Sequence, residues 1–178
     1  LSRGKLSRPI QNLLKHSLLT EERSFFDYGC GRGDDVRFLN AQGVSAEGWD
    51  PYFCPETQFT AADIVNLGYV INVIEEPKER IAVLNQAFSL ANKLLIVSGQ
   101  LTNERNPQHR PYRDGVLTGT HTFQRYFTQE ELGFFLKSSL KEDPIPLAPG
   151  IFLVFKDKLE EQEFLEKRAR RSLRARTA

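Results

Sequence analysis

No methionine occurs in this chain, and cysteine, histidine and tryptophan are nearly as scarce: two, three and one among 178 residues. A chain without methionine that opens on Leu1 is expected to be a piece of a longer protein, with a further domain of that protein as a partner. Cys30 and Cys54 are too few for a disulfide framework. With His16, His109 and His121 scattered, no metal-ligand spacing exists, so reduced cysteines and no metal are expected. Long apolar runs are missing too. Leu94-Leu95-Ile96-Val97 is strand-length, far short of a membrane span, and no signal sequence is visible, so no membrane partner and a cytoplasmic location are expected. A net charge of +1 excludes a surface that binds polyanions everywhere, while 40% hydrophobic residues suffice for one domain with a sizeable core.

What the chain does have is a dense motif near its start. Phe25-Phe26-Asp27-Tyr28-Gly29-Cys30-Gly31-Arg32-Gly33-Asp34-Asp35 reads as a short apolar strand, a glycine-rich turn and a helix start, and Gly48-Trp49-Asp50 as a second strand ending in an acid. An open α/β sheet builds a nucleoside pocket in that order: glycines let the backbone approach a ligand, and the acid accepts hydrogen bonds from ribose hydroxyls. A dinucleotide fingerprint G-x-G-x-x-G would place its third glycine where Asp34 stands, and a carboxylate there repels a pyrophosphate at the helix N-terminus. S-adenosylmethionine carries no phosphate and fits the D-x-G-x-G-x-G pattern better. Gly29, Gly31 and Gly33 would pass under its methionine part, Asp27 would lie near its ammonium, and Asp50, with Pro51 and Tyr52 beside it, would take the ribose.

With these residues in view, the chain resembles a class I, Rossmann-like, S-adenosylmethionine-dependent methyltransferase. More narrowly, Leu6-Ser7-Arg8-Pro9, the glycine loop, Gly48-Trp49-Asp50-Pro51 and Ala62 to Glu75 are similar to the DNA phosphorothioation-associated methyltransferases, over about Leu1 to Leu165. The resemblance implies a doubly wound, mostly parallel α/β sheet closed by an antiparallel hairpin, S-adenosylmethionine as cofactor, and a bacterial DNA-modification setting. It names no methyl acceptor; nucleic acid is one candidate. A non-catalytic S-adenosylmethionine sensor or scaffold is the alternative from another class, and a nicotinamide oxidoreductase is disfavoured by Asp34.

The remaining sequence fills in this plan as a helical lead (1–22), the cofactor-binding domain (23–158) and a basic C-terminal helix or linker (159–178). Ile10, Leu13, Leu14 and Leu18 recur at helical spacing and are expected to pack on a sheet edge, while Arg3, Ser7 and Arg8 either face substrate or form a solvated basic face. A helix runs from Asp35, as its cap, to Gln42; Asp34 and Asp35 either meet cofactor or only favour the helix dipole. Between Asp50 and Asp63 only one short connection fits, so the third strand region is shortened or missing and the acidic turn that would hold adenine goes with it. Asp63 either inherits that task or merely leads its strand. Tyr52 and Phe53 either stack on adenine or cover the exposed edge.

The strand from Asp63 to Val70 places Asn66, Gly68, Tyr69, Asn72 and Glu75 at or near its carboxyl end, where ligands of such sheets bind. Asn66 and Gly68 are cofactor candidates, and Tyr69 and Asn72 catalytic ones. Asn66-Leu67-Gly68-Tyr69 has the spacing of an amino-methylating N-P-P-Y loop without its prolines. Pro77 starts a helix to about Asn92 with Ile81, Leu84, Phe88 and Ala91 inward, and Leu94 to Gln100 is the next strand. Leu101 to Phe127 reads as a long structureless insertion, expected to be a lid that brings the substrate candidates Arg110, Arg113 and Arg125 and the catalytic candidates His121 and Tyr126 to the acceptor. Thr128 and Glu131 form a capping box, 141–146 and 151–155 a hairpin, and 160–178 a helix. Its run from Lys167 to Arg176 either contacts nucleic acid or leads into a further domain.

Overall fold

The computed structural model describes residues 6–177, which leaves Arg3 outside the described residues. The chain order is α1 (Arg8–Lys15), β1 (Phe25–Tyr28), α2 (Asp34–Ala41), β2 (Ala46–Trp49), β3 (Ala62–Gly68), α3 (Pro77–Leu90) and β4 (Ala91–Ser98). The insertion then contributes β5 (Arg110–Tyr112), β6 (Gly115–Leu117) and β7 (Phe123–Gln124), followed by α4 (Gln129–Leu140), β8 (Ile145–Ala148), β9 (Ile151–Phe155) and α5 (Lys158–Thr177). One sheet holds six strands in the order β2-β1-β3-β4-β9-β8. Its first four strands are parallel, and β9 and β8 close it as an antiparallel hairpin. This is the doubly wound, mostly parallel sheet expected from the sequence.

Central strands in such a sheet are covered on both faces and therefore read as continuous apolar runs. Ile64, Val65 and Leu67 of β3 and Leu94, Leu95, Ile96 and Val97 of β4 are each fully buried. One face packs on α3 and α4 through Leu84, Ala87, Leu132 and Leu136, the other on α1, α2 and α5 through Ile10, Leu13, Leu39 and Phe164. Each such aliphatic side chain contributes about 1.5–3 kcal/mol of burial. Helix α1 thus lies against the core residues Phe25, Ile64, Leu94 and Ile96 and not at the sheet edge. It ends at Lys15, so Leu18 is buried from the following turn, while Leu14 is 38% exposed.

The shortened third-strand region is borne out: β2 is the sheet's edge strand, and 51–61 holds turns and one isolated bridge. An aromatic group does the covering there. Phe59 stacks on Tyr28 at 5.1 Å between centroids and meets Trp49 at 4.9 Å. Tyr52 and Phe53, by contrast, are 88% and 56% exposed and cover no core.

Several boundaries move. Helix α2 begins at Asp34, with Gly33 in the left-handed region as its N-cap, so Asp35 sits in the first turn and is not the cap. Helix α3 ends at Leu90, and Ala91 turns extended and starts β4 at once, which takes Ala91 out of the helix. Arg80, not Ile81, occupies the inward position of α3, because its guanidinium donates to the carbonyls of Ile74 and Glu75 and to Asp114. The insertion is not structureless. Its strands β5, β6 and β7 form a separate antiparallel sheet, joined to the body by Asp114, which accepts from Arg80 and from Arg125 at 2.8 and 2.6 Å. Lys141 carries a left-handed φ that ends α4, so β8 begins only at Ile145. Among the described residues no helix is long and apolar enough to cross a membrane, and no group of three or more His, Cys, Asp or Glu is placed to hold a metal ion.

Candidate functional site

At the carboxyl ends of β1 and β3 the chain surrounds a cavity of about 370 Å³. The glycine loop forms its floor. Gly29, Gly31 and Gly33 all have positive φ, a conformation that other residues adopt only with strain. At Gly29 the requirement is doubled, since a β-carbon would stand 2.5 Å from Cγ2 of Val70. Gly68 and Tyr69 from the end of β3 form the opposite wall, and Ser7 and Pro9 from the N-terminal lead close a third side. That lead is latched to the loop's helix by a hydrogen bond from the Ser7 amide to Oδ1 of Asp35, 3.0 Å.

Asp27 is the most perturbed carboxyl group at the site. It is 4% exposed, and Asn66, its register partner on β3, donates from Nδ2 to its Oδ1 at 2.9 Å. Burial pushes the Asp27 carboxyl up to about 7; the Asn66 hydrogen bond opposes this, and the nearby Asp35 and Asp50 add to it. Asn66 Oδ1 is buried and accepts no hydrogen bond, and the Ser7 hydroxyl is likewise buried without a partner. Asp34 and Asp35 line the same cavity, with Asp34 paired to Arg37. The site therefore gathers carboxylates and spare acceptors, which suits a ligand that brings N–H donors and positive charge.

Asp50 lies just beyond this cavity at the end of β2. Its Oδ2 accepts from the Gly31 amide at 2.9 Å, and its Oδ1 from the amides of Tyr52 and Phe53 at 2.9 and 3.1 Å. A carboxylate has about four acceptor positions, so three are engaged in fixing its orientation and one remains for an incoming hydroxyl. Phe53 lines the cavity under the guanidinium of Arg32, 5.2 Å from the ring centre.

Of the residues singled out from the sequence, Asp27, Gly29, Gly31, Asp34, Asp35, Phe53, Asn66, Gly68 and Tyr69 line this cavity. Gly33 lines a smaller adjoining one of about 280 Å³. Pro51 and Tyr52 are exposed beside Asp50 and line neither. Tyr69 has φ 59°, strain that a non-glycine residue bears at few places, and its amide is held by the Ser98 carbonyl at 3.0 Å. The other candidates gather elsewhere. Asn72 is buried and its carbonyl accepts from the Arg125 amide; Arg125 pairs with Asp114, and Arg113 with Glu75 and Glu76. Arg110 and His121 are exposed and Tyr126 half-buried on the insertion, and none of them lines the cavity. Asp63 stands at the amino end of β3, bonded to the Ser24 amide, at the opposite end of the strand from the cavity. The cavity residues Pro9, Cys30 and Arg32 had no signal of their own in the sequence. Ser7 had one only as part of the basic lead.

No family model matches the chain, and neither does any curated protein. Solved structures do. The 1,6-didemethyltoxoflavin N1-methyltransferase of Burkholderia thailandensis, solved with 1,6-didemethyltoxoflavin and S-adenosylhomocysteine, superposes with a TM-score of 0.61 at 17% identity over 84% of this chain and 77% of its own. A sugar N-methyltransferase from a Streptoalloteichus species gives 0.61 at 14% identity over 86% and 89%. An S-adenosylmethionine-dependent methyltransferase of Methanosarcina mazei gives 0.60 at 18% identity over 85% and 96%. The chain thus has the Rossmann-like fold of class I methyltransferases, with β2 left as an edge strand.

Proposed function

We propose that this chain is an S-adenosylmethionine-dependent methyltransferase whose acceptor is a nucleic acid, in the DNA-modification setting that its resemblance implies. One observation carries the cofactor assignment: a buried carboxylate, Asp27, and an unpartnered acceptor, Asn66 Oδ1, stand beside the glycine loop, with Asp34 and Asp35 where a dinucleotide would need its pyrophosphate. These residues fit an amino-acid ammonium and reject a phosphate.

When bound, S-adenosylmethionine supplies a methyl group on a sulfonium leaving group. Asp27 and Asn66 would hold its ammonium, the glycine loop would pass along its backbone, and Asp50 would accept from a ribose hydroxyl with its remaining acceptor position. Tyr69 and Phe53 then border the space left for the acceptor. Their task is to align it at about 3–3.5 Å and exclude water, so a strong base is not required. The nucleic-acid part of the reading is supported by α5, where Lys167, Arg168, Arg170, Arg171, Arg174 and Arg176 follow one another on an exposed stretch.

The test is incubation with labelled S-adenosylmethionine and DNA or RNA, followed by mass spectrometry of the nucleosides. A gain of one methyl group on a base supports the reading. Cofactor binding with no methyl transfer to either polymer overturns the nucleic-acid acceptor.

A further inference from the structure

We propose that Cys30 and Cys54 are a redox modification site, a dithiol that a small-molecule disulfide such as oxidised glutathione closes into an intramolecular cystine. The two residues come from different segments, and their sulfur atoms stand 3.3 Å apart. Backbone geometry brings them together. Cys30 sits between two left-handed glycines, its amide held by the Trp49 carbonyl at 2.9 Å. Cys54 returns to β2 through a bridge with Asp50, its amide donating to the Asp50 carbonyl at 3.1 Å. The Cys30 side chain lies over Gly48, where a β-carbon would be 2.7 Å from its Cβ and 3.0 Å from its Sγ, so glycine leaves room for it there. The remaining partners of the two thiols are weak ones, the carbonyls of Gly31 and Gly48 at 3.6 Å.

Access fits a small disulfide, and Arg32 adds positive charge, Arg37 being paired to Asp34. Both cysteines line the adjoining cavity of about 280 Å³, together with Arg32 and Arg37. Cys54, half-buried between exposed Phe53 and exposed Pro55 on the strap formed by 51–61, attacks first. Its thiolate displaces one glutathione as thiolate, which takes up a proton. Burial pushes the Cys30 thiol up, which leaves the first attack to Cys54. Already in contact, Cys30 attacks the Cys54 sulfur of the mixed disulfide and expels the second glutathione, which leaves with the proton from Cys30. Two thiols are thereby oxidised by two electrons and one glutathione disulfide is reduced to two thiols.

The cystine would tie the glycine loop to the strap that orients Asp50. On the methyltransferase reading this preorganises the cofactor site, and S-adenosylhomocysteine should bind the oxidised chain several-fold more tightly. The experiment is a redox titration of the full chain with reduced and oxidised glutathione, quenched in acid, alkylated and mapped by mass spectrometry. The expected result is two alkylated cysteines converting to none, with a Cys30–Cys54 cross-linked peptide and a monomeric chain. Cys30→Ser should stop at a glutathione adduct on Cys54. Stable glutathione adducts on the unsubstituted chain, disulfide-linked dimers, or thiols that stay reduced at the most oxidising ratio would overturn the proposal. If neither redox form binds S-adenosylhomocysteine, the methyltransferase reading fails, while the cross-link map still decides the cystine.

Discussion

Replacing Asp27 with asparagine should stabilise the protein above neutral pH while weakening its cofactor site. A buried carboxyl raised from 3.8 to about 7 prefers its neutral form by about 4 kcal/mol at ~1.36 kcal/mol per tenfold, an order-of-magnitude figure. The sign follows from proton binding. Between those two values the folded chain holds a proton on Asp27 that the unfolded chain releases, so this contribution is present below pH 3.8 and is lost as pH rises through about 7. Asparagine keeps an oxygen to accept from Asn66 and removes the charge, so the variant lacks this slope. Urea unfolding of both proteins from pH 4.5 to 8.5 would show their stabilities converging at the acid end and the variant gaining several kcal/mol at the alkaline end. The comparison cancels groups with other dependences, such as Asp114, held low by its hydrogen bond from Arg80, and His16, lowered by burial. Parallel pH profiles would refute the reasoning. In the same variant, affinity for S-adenosylhomocysteine should drop by about 1.5–3 kcal/mol, the worth of a charged hydrogen bond.

Three further outcomes are expected. Gly29→Ala, which adds a left-handed strain to a 2.5 Å overlap with Val70, should cost about 1–3 kcal/mol in thermal or urea unfolding; a neutral effect would mean the loop is not held as described. Asp114→Ala leaves the buried Arg80 guanidinium short of its carboxylate, at a cost of about 2 kcal/mol, below that of a fully enclosed pair because Asp114 is one-third exposed. Hydrogen exchange should then rise in 110–124 more than in the central sheet. Deleting residues after Leu165 should weaken DNA and RNA binding equally across sequences and flatten the salt dependence by roughly one unit per lost phosphate contact, and an unchanged slope in fluorescence anisotropy would assign α5 to another role.

The parts legible in the sequence are those encoded locally. The D-x-G-x-G-x-G run dictates positive φ at three glycines, and the shortness of the segment after Asp50 is enough to leave β2 at the edge. What stayed hidden depends on residues distant in the chain. The Asp27–Asn66 hydrogen bond joins strands 39 residues apart, and the cysteine contact joins residues 24 apart. Arg80 looks like a surface residue of α3 until the carboxylate of Asp114 is placed beside it, and Ile81 is displaced outward as a result. The strands of the insertion are two or three residues long and carry few buried side chains, too short for a period of two to be recognised.

The central claim, an S-adenosylmethionine site that refuses dinucleotides, is tested most directly by titration calorimetry of the full chain with S-adenosylhomocysteine and with NAD. The expected result is saturable one-to-one binding of S-adenosylhomocysteine, stronger as pH rises through about 7 because Asp27 must ionise, and no binding of NAD. Binding of NAD as tight as that of S-adenosylhomocysteine, or no heat from S-adenosylhomocysteine at any pH, would contradict it.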